Sequence, residues 1–111
     1  MYFIKAIMSH PPNLLFQNPS NNGYTIYTKS GCSYCVKAKK LLEKETVLII
    51  DCDDYLIENK ELFLDFIKEK NHGKEMRTFP IIFYKNQFIG GYTELTTFYE
   101  KESAFELSTS F

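Results

Sequence analysis

The chain has no excess of charge, no long apolar run and no tryptophan, and the first two of these shortages exclude whole classes of protein. Thirteen basic residues face fourteen acidic ones, so no overall positive field exists to hold a nucleic acid. No apolar run approaches the roughly 20 residues that a membrane-spanning helix needs. The opening MYFIKAIM is interrupted by Lys5 and is followed by no clear small-residue cleavage site. We therefore predict no nucleic-acid partner, no membrane association and no secretory signal.

Cysteine is also scarce, with three in 111 residues. This odd, low number is unlike a small secreted domain held together by several disulfides, and it favours a reducing compartment, which we expect to be the cytoplasm. In that setting the pair Cys32 and Cys35 is catalytic or metal-binding before it is structural. A structural zinc site needs four ligands, and only Cys52, His10 and His72 remain, scattered along the chain. We therefore predict no metal ligands.

The length predicts one domain with a single core. Residues 1–23 are interpreted as an N-terminal arm, rich in Pro, Asn and Ser from residue 9, and residues 24–111 as the domain. The predicted elements in chain order are strand 24–28, helix 33–44, strand 46–51, helix 58–70, two strands that flank Asn86, and helix 93–107. The second strand is a continuous apolar run, which predicts burial on both faces. Thr93 is the expected N-cap of the last helix. The fold class is α/β, a small mixed four-stranded sheet flanked by helices.

Cys32 lies where the first strand ends and a helix begins. Unpaired backbone N–H groups and the helix dipole favour a thiolate there, and Lys29 adds a nearby positive charge. We expect the pKa of Cys32 to lie well below the free-thiol value of about 8.5. Cys35, one turn deeper and more buried, is suited to resolving a mixed disulfide formed on Cys32.

Three motifs, KSGCSYC, RTFP and GGYTEL, in this order and at these separations, resemble the glutaredoxin family over about residues 24–107. The resemblance implies a thioredoxin-like fold, a cis peptide bond between Phe79 and Pro80, and dithiol chemistry on Cys32 and Cys35. It also implies an enzyme that uses glutathione as co-substrate to reduce protein disulfides and protein–glutathione mixed disulfides. The implied partners are glutathione and the proteins that carry such disulfides, and the implied state is a monomer.

The same resemblance implies a glutathione groove. Lys29 and Arg77 would pair with a glycine carboxylate, while Thr93 and Glu94 lie near a helix N-terminus that would hold the γ-glutamyl carboxylate. The remaining groove residues implied are Tyr34, Phe79 and Pro80. Without the resemblance, Tyr34 can also be interpreted as an exposed aromatic residue and Arg77 as a solvated loop cation. Lys37, Lys39 and Lys40 are interpreted as a solvated helix face that favours acidic partners.

Two alternatives stay open. Ser33 stands where many family members have proline, which keeps a dimer bridged by a [2Fe–2S] cluster, held by Cys32 and glutathione, as one alternative. The other is a redoxin reduced by thioredoxin reductase, against which the absence of tryptophan before Cys32 weighs. Glu94 also departs from the family, which often has aspartate there. Cys52 is interpreted as a partly buried bystander.

Overall fold

The structure, a computed structural model, describes residues 15–109, and the expectations for residues 1–14 and 110–111 lie outside this range. The elements are β1 (Tyr24–Thr28), α1 (Ser33–Leu41), β2 (Val47–Asp51), α2 (Asp53–Glu58), α3 (Lys60–Lys70), β3 (Ile81–Tyr84), β4 (Gln87–Gly90) and α4 (Tyr92–Thr109). No helix within residues 15–109 combines the length and the apolar character needed to cross a bilayer.

The four strands form one mixed sheet in the order β2-β1-β3-β4. β1 runs parallel to β2 because α1 carries the chain back across the sheet between them, whereas β3 pairs antiparallel with both β1 and β4. Tyr27 of β1 pairs with Ile81 of β3. This register places the last residues of β1 and the first residues of β3 side by side, at the same end of the two strands. The predicted four-stranded mixed sheet flanked by helices is confirmed.

Side chains alternate across the sheet and build one core on each face. On one face, α2 and α3 cover a cluster that includes Tyr27, Ile81 and Phe83 with Phe63, Phe66 and Ile67. On the other face, α1 and α4 cover a cluster that includes Tyr24, Ile26 and Ile82 with Ala38, Leu42 and Leu95. Apart from Leu64 (5% exposed) and Tyr24 (3%), the residues that α1, α3, α4, β1 and β3 contribute to these cores are at most 1% exposed. The cysteine motif at the start of α1 therefore stands on a tightly packed base.

Three elements differ from the sequence-based prediction. The prediction that β2 is buried on both faces is wrong, because β2 is an edge strand paired only with β1, and Ile49 is 47% exposed. The helix predicted for residues 58–70 is α3, which begins at Lys60, and it is preceded by a short helix, α2, which the prediction missed; α2 ends at Glu58, and Asn59 leaves the helical conformation with φ −142°. α1 also ends earlier than predicted, at Leu41.

The start of α4 corrects a further expectation. Thr93 is not the N-cap, because the helix begins at Tyr92 and the carbonyl of Gly91 accepts the first helical hydrogen bond from the N–H of Leu95 at 3.0 Å. The Gly91 N–H in turn donates to Glu94 Oε1 at 2.9 Å. A glutamate at the third helical position that reaches back to the N-cap N–H is one half of a capping box. Gly91 therefore occupies the N-cap position.

The described part of the predicted arm, residues 15–23, packs onto the domain. Phe16 is 3% exposed, and its ring lies 4.8 Å from that of Tyr55 and 5.4 Å from that of Phe63. The Tyr27 hydroxyl donates to the carbonyl of Gln17 at 2.7 Å, and the Gln17 N–H donates to the Tyr55 hydroxyl at 3.1 Å. The segment is irregular, as predicted, but its residue Phe16 belongs to the core.

Candidate active site around Cys32 and Cys35

Cys32 lies at the junction between β1 and α1, as predicted. β1 ends at Thr28, the chain turns through Gly31 with φ +69°, and Cys32 takes the N-cap position of α1 in an extended conformation. Its Sγ accepts a hydrogen bond from the backbone N–H of Cys35 at 3.1 Å. A sulfur that already accepts from the first turn of a helix is placed where negative charge is favoured.

The two cysteines of the motif are paired but unequal. Their sulfur atoms lie at disulfide distance, with Cα atoms 5.2 Å apart. Cys32 is partly exposed, whereas Cys35 is 1% exposed beneath it. An external disulfide can therefore reach Cys32 far more readily than Cys35, which agrees with the predicted division between nucleophile and resolver.

Asp53, which the sequence-based prediction did not include, holds the turn before Cys32. Its carboxylate accepts hydrogen bonds from the Ser30 N–H at 2.9 Å and from the Ser30 hydroxyl. These two bonds lower the pKa of Asp53, since they favour its charged form. The Asp53 N–H itself donates to Asp51 Oδ1 at 2.9 Å. The loop that leads to the nucleophile is therefore anchored to the first turn of α2.

A hollow of about 370 Å³ brings together five of the predicted groove residues: Tyr34, Phe79, Pro80, Thr93 and Glu94. The peptide bond between Phe79 and Pro80 is cis, as the resemblance implied. Gly91 also lines the hollow, and the sequence-based prediction missed three further lining residues: Met76, Thr78 and Tyr92. Thr78 and Tyr92 lie inside the motifs RTFP and GGYTEL, which could have indicated them. A larger hollow of about 570 Å³ between β4 and α4 shares Thr93 and Glu94, but Tyr34, Phe79 and Pro80 do not line it.

Glu94 is oriented by two glycines. Gly90 has φ +134°, and a Cβ there would lie 2.9 Å from carbon atoms of the Glu94 side chain. The absence of that Cβ lets the glutamate fold back onto the Gly91 N–H. Glu94 thus completes the helix N-terminus, while the N–H groups of Tyr92 and Thr93, in the first turn, have no intrahelical partner.

The two predicted cationic groove residues lie outside the lining of this hollow. Arg77 Nη2 contacts Glu61 Oε2 at 3.1 Å, and Nη1 contacts Glu75 Oε1 at 3.6 Å, all on exposed side chains. Lys29 Nζ lies 5.6 Å from the centre of the Phe79 ring, beside one wall of the hollow. The pairing of Lys29 and Arg77 with a ligand carboxylate stays a prediction.

Cys52 is more deeply buried than predicted, because its side chain is 0% exposed. Its N–H donates to the carbonyl of Thr28 at 2.8 Å, and its thiol lies 3.6 Å from the carbonyl oxygen of Ile50. Burial raises the pKa of the Cys52 thiol to about 12. Within residues 15–109, no group of three or more His, Cys, Asp and Glu side chains is arranged to hold a metal ion.

The geometry defines a class of protein. A mixed four-stranded sheet is followed, after β1, by C-x-x-C at the N-terminus of α1. A cis-proline lies directly before the neighbouring strand β3, at the same end of the sheet. This is a thioredoxin-like dithiol domain. The glutaredoxin family model matches residues 24–89, more than half of the chain, and the chain belongs to the glutaredoxin family.

Individual relatives agree with this assignment. Glutaredoxin 1 of Rickettsia typhi is 40% identical over 72 residues, which are 63% of this chain and 64% of that protein. The match therefore spans just under two thirds of this curated relative. The crystal structure of glutaredoxin 1 from Francisella tularensis, complexed with cacodylate, superposes with a TM-score of 0.60 at 32% identity, covering 73% of this chain and 95% of that one. A buckwheat glutaredoxin–glutathione complex shares the fold, with a TM-score of 0.68 at 17% identity, over 97% of this chain and 96% of that one.

Proposed function

We propose that this protein is a glutathione-dependent thiol–disulfide oxidoreductase that reduces protein–glutathione mixed disulfides and protein disulfides. The observation that carries the proposal is the position of Cys32. Its sulfur is reachable, accepts a backbone hydrogen bond at a helix N-terminus, and is paired with a buried second cysteine. These features favour the thiolate on Cys32 and leave Cys35 as its internal partner.

The reaction on a mixed disulfide proceeds in two exchanges. The Cys32 thiolate attacks the glutathione sulfur, the bond between that sulfur and the protein sulfur breaks, and the protein thiolate leaves and takes a proton from water. A second glutathione, as its thiolate, then attacks the sulfur of the glutathione bound to Cys32. Glutathione disulfide leaves, and the Cys32 thiolate is restored.

A protein disulfide uses both cysteines. The Cys32 thiolate attacks one sulfur of the protein disulfide, the bond between the two protein sulfurs breaks, and the other sulfur leaves as a thiolate. Cys35 then loses its thiol proton to water and attacks Cys32 Sγ. The protein sulfur bonded to Cys32 leaves as the second thiolate, and the Cys32–Cys35 pair becomes the disulfide seen in this structure. Two glutathione molecules then reduce that disulfide.

The groove supplies binding for the glutathione half. Tyr34 and the turn before β3, with Thr78, Phe79 and Pro80, line its walls, and the first turn of α4 closes one end. The N–H groups of Tyr92 and Thr93 would receive the γ-glutamyl carboxylate, since they have no intrahelical partner. We assign Glu94 the task of capping this helix. The likeness to the buckwheat complex supports the fold alone, so these contacts rest on the geometry of this chain.

The test is a glutathione-coupled assay with the mixed disulfide of cysteine and glutathione as substrate. Cys32→Ser should abolish turnover, because it removes the nucleophile, and Cys35→Ser should retain it. Cys35→Ser should lose the reduction of an intramolecular protein disulfide, for which the internal resolver is needed. Cys52→Ala is the matched control, because it removes a cysteine outside the motif. This variant should retain both activities at temperatures at which it is folded. Full activity of Cys32→Ser would disprove the mechanism.

A crystal structure of Cys35→Ser trapped as its mixed disulfide with glutathione would test the groove directly. We expect the γ-glutamyl carboxylate within hydrogen-bond distance of the Thr93 N–H. The same structure would decide whether Arg77 leaves Glu61 to meet the glycine carboxylate. A glutathione located in the larger hollow between β4 and α4 would contradict the assignment of the groove.

The alternatives gain no support from the described part of the chain. No observation on residues 15–109 favours the cluster-bridged dimer, and purification without oxygen as a colourless monomer would reject it. Reduction by thioredoxin reductase in place of glutathione would identify the other alternative. The monomeric state and the cytoplasmic location stay predictions.

A further inference from the structure

A row of exposed residues runs along α1 directly from the nucleophile. Cys32, Val36 and Lys40 are spaced four positions apart and so share one side of the helix, and the Val36 N–H donates to the carbonyl of Cys32 at 3.3 Å. Val36 is 63% exposed, so an apolar side chain faces solvent one turn from the reactive sulfur. We call Val36, Lys37 and Lys40 the α1 stripe.

An apolar hollow lies against this stripe. It measures about 360 Å³ and is lined by Val36, Lys37, Lys40, Leu41 and Tyr92. Tyr92 also lines the proposed glutathione groove, and its ring lies 5.5 Å from that of Tyr34. Tyr92 therefore lies between the groove and the second hollow, and Tyr34 lines the groove beside it.

The charge of the stripe is of one sign. α1 contains Lys37, Lys39 and Lys40 and no acidic residue. Lys37 Nζ lies 4.9 Å from the centre of the Tyr34 ring, which keeps that charge close to the groove. Residues 15–104 form two ion pairs, and Arg77 is the cation in both. Within these residues, no carboxylate therefore forms an ion pair with Lys37 or Lys40. The two ammonium groups are available to an acidic ligand.

We propose that the α1 stripe and its hollow dock the protein half of the mixed disulfide, as an extended acidic segment with one apolar side chain. The proposal rests on the proposed function, because it requires the glutathione half to occupy the neighbouring groove. The disulfide substrate has two halves, and these two hollows share Tyr92 as a common lining residue. The apolar side chain enters the hollow, and the acidic side chains meet Lys37 and Lys40.

The helix geometry gives the spacing of the ligand. Val36 lies about 6 Å and Lys40 about 12 Å along the helix axis from Cys32, at 1.5 Å per residue. An extended peptide advances about 3.3 Å per residue. The docked segment therefore has an apolar residue about two positions from its modified cysteine and an acidic residue about four positions from it.

The experiment compares glutathionylated peptides with this spacing. One peptide has leucine two positions and glutamate four positions from the cysteine on both sides, so that its direction along α1 does not matter. The second peptide has lysine in place of each glutamate. The mixed disulfide of cysteine and glutathione serves as the reference, because it undergoes the same exchange without a peptide. Loss of activity on the reference would disprove the proposed function, whereas the docking proposal is tested by the ratio between the two peptides.

We expect wild-type protein to prefer the glutamate peptide over the lysine peptide by about tenfold in kcat/KM at low salt, the size of effect that two exposed ion pairs and their reversal can produce. The double variant Lys37→Glu, Lys40→Glu should invert the preference and leave turnover of the reference unchanged. The preference should shrink in about 1 M salt, where the Debye length is about 3 Å. Lys60→Glu is the matched control, because Lys60 is an exposed lysine at the start of α3, on the other face of the sheet.

The apolar part has its own pair of variants. Val36→Ser should lower kcat/KM for the leucine peptides about threefold, while Ile57→Ser, at an 80% exposed site on α2, should not. Equal rates for both charged peptides would overturn the proposal, as would an equal effect of Lys60→Glu. It would also be overturned if sedimentation showed a dimer that Val36→Ser dissociates, because the stripe would then bind a second copy of this chain.

Discussion

Removal of the Phe16 side chain should destabilise the whole domain, although Phe16 lies before the segment that the family model matches. Its ring is enclosed by Tyr55, Phe63 and Phe66, with ring centres 4.8, 5.4 and 5.4 Å away. Truncation of a buried phenylalanine to alanine costs about 3–5 kcal/mol, as lost transfer free energy plus a cavity. The arm can lift away instead of preserving the cavity, so we expect the lower end, about 3 kcal/mol.

Urea unfolding followed by circular dichroism measures this loss. With a slope of about 1–3 kcal/mol per molar urea, the midpoint for Phe16→Ala should fall by about 1–3 M. Leu15→Ala is the matched control, since Leu15 is the adjacent residue and is 37% exposed, and it should cost less than about 1 kcal/mol. If Phe16→Ala loses no more than Leu15→Ala, the arm does not contribute to the core and the packing described for it is wrong.

Three further predictions concern the site and its surroundings. Glu94→Ala should lower the free energy of unfolding by about 1 kcal/mol, because the Gly91 N–H loses its acceptor, whereas Glu94→Gln should retain most of it; urea unfolding of the two variants separates capping from charge. Cys52 should resist iodoacetamide at pH 8 in the folded protein and react on unfolding, because burial raises its pKa to about 12. Its thiol also contributes stability that is fully present below the unfolded pKa of about 8.5 and is lost as the pH rises towards 12, so the unfolding free energy of the wild type should fall more steeply above pH 9 than that of Cys52→Ala. Labelling of folded Cys52 as fast as that of the unfolded chain would show that its burial is wrong.

Local patterns made much of the fold predictable. The alternation in Tyr24–Thr28 and the helical spacing after Cys32 indicated β1 and α1, and with them the position of the nucleophile. The cis bond before Pro80 and the groove residues near it came from the resemblance, since no periodicity in RTFP indicates them. The site was therefore predicted where the chemistry depends on short motifs.

The remaining features depend on contacts between distant parts of the chain. Val47–Asp51 has the same apolar pattern as a central strand, but within the described residues β2 pairs with β1 alone, and β3 pairs with the other side of β1, so β2 lies at the sheet edge. α2 is six residues long, which is too short for a helical apolar period to show in the sequence. Phe16 has no periodic neighbours at all. Arg77 contacts Glu61 from another element, which no local pattern reveals.

The pairing of Tyr27 with Ile81 has a consequence for how this chain tolerates changes in length. The two halves of the site lie far apart in sequence but one strand apart in space, and their alignment is decided by the β1 and β3 register alone. Residues added to the loop after Lys70 would lengthen the exposed turn at His72 and Gly73 without moving the cysteines relative to Pro80. A single residue inserted into β1 would send every following side chain of that strand to the opposite face. The domain can therefore accept long insertions in the loop between Lys70 and RTFP, and none within β1 or β3.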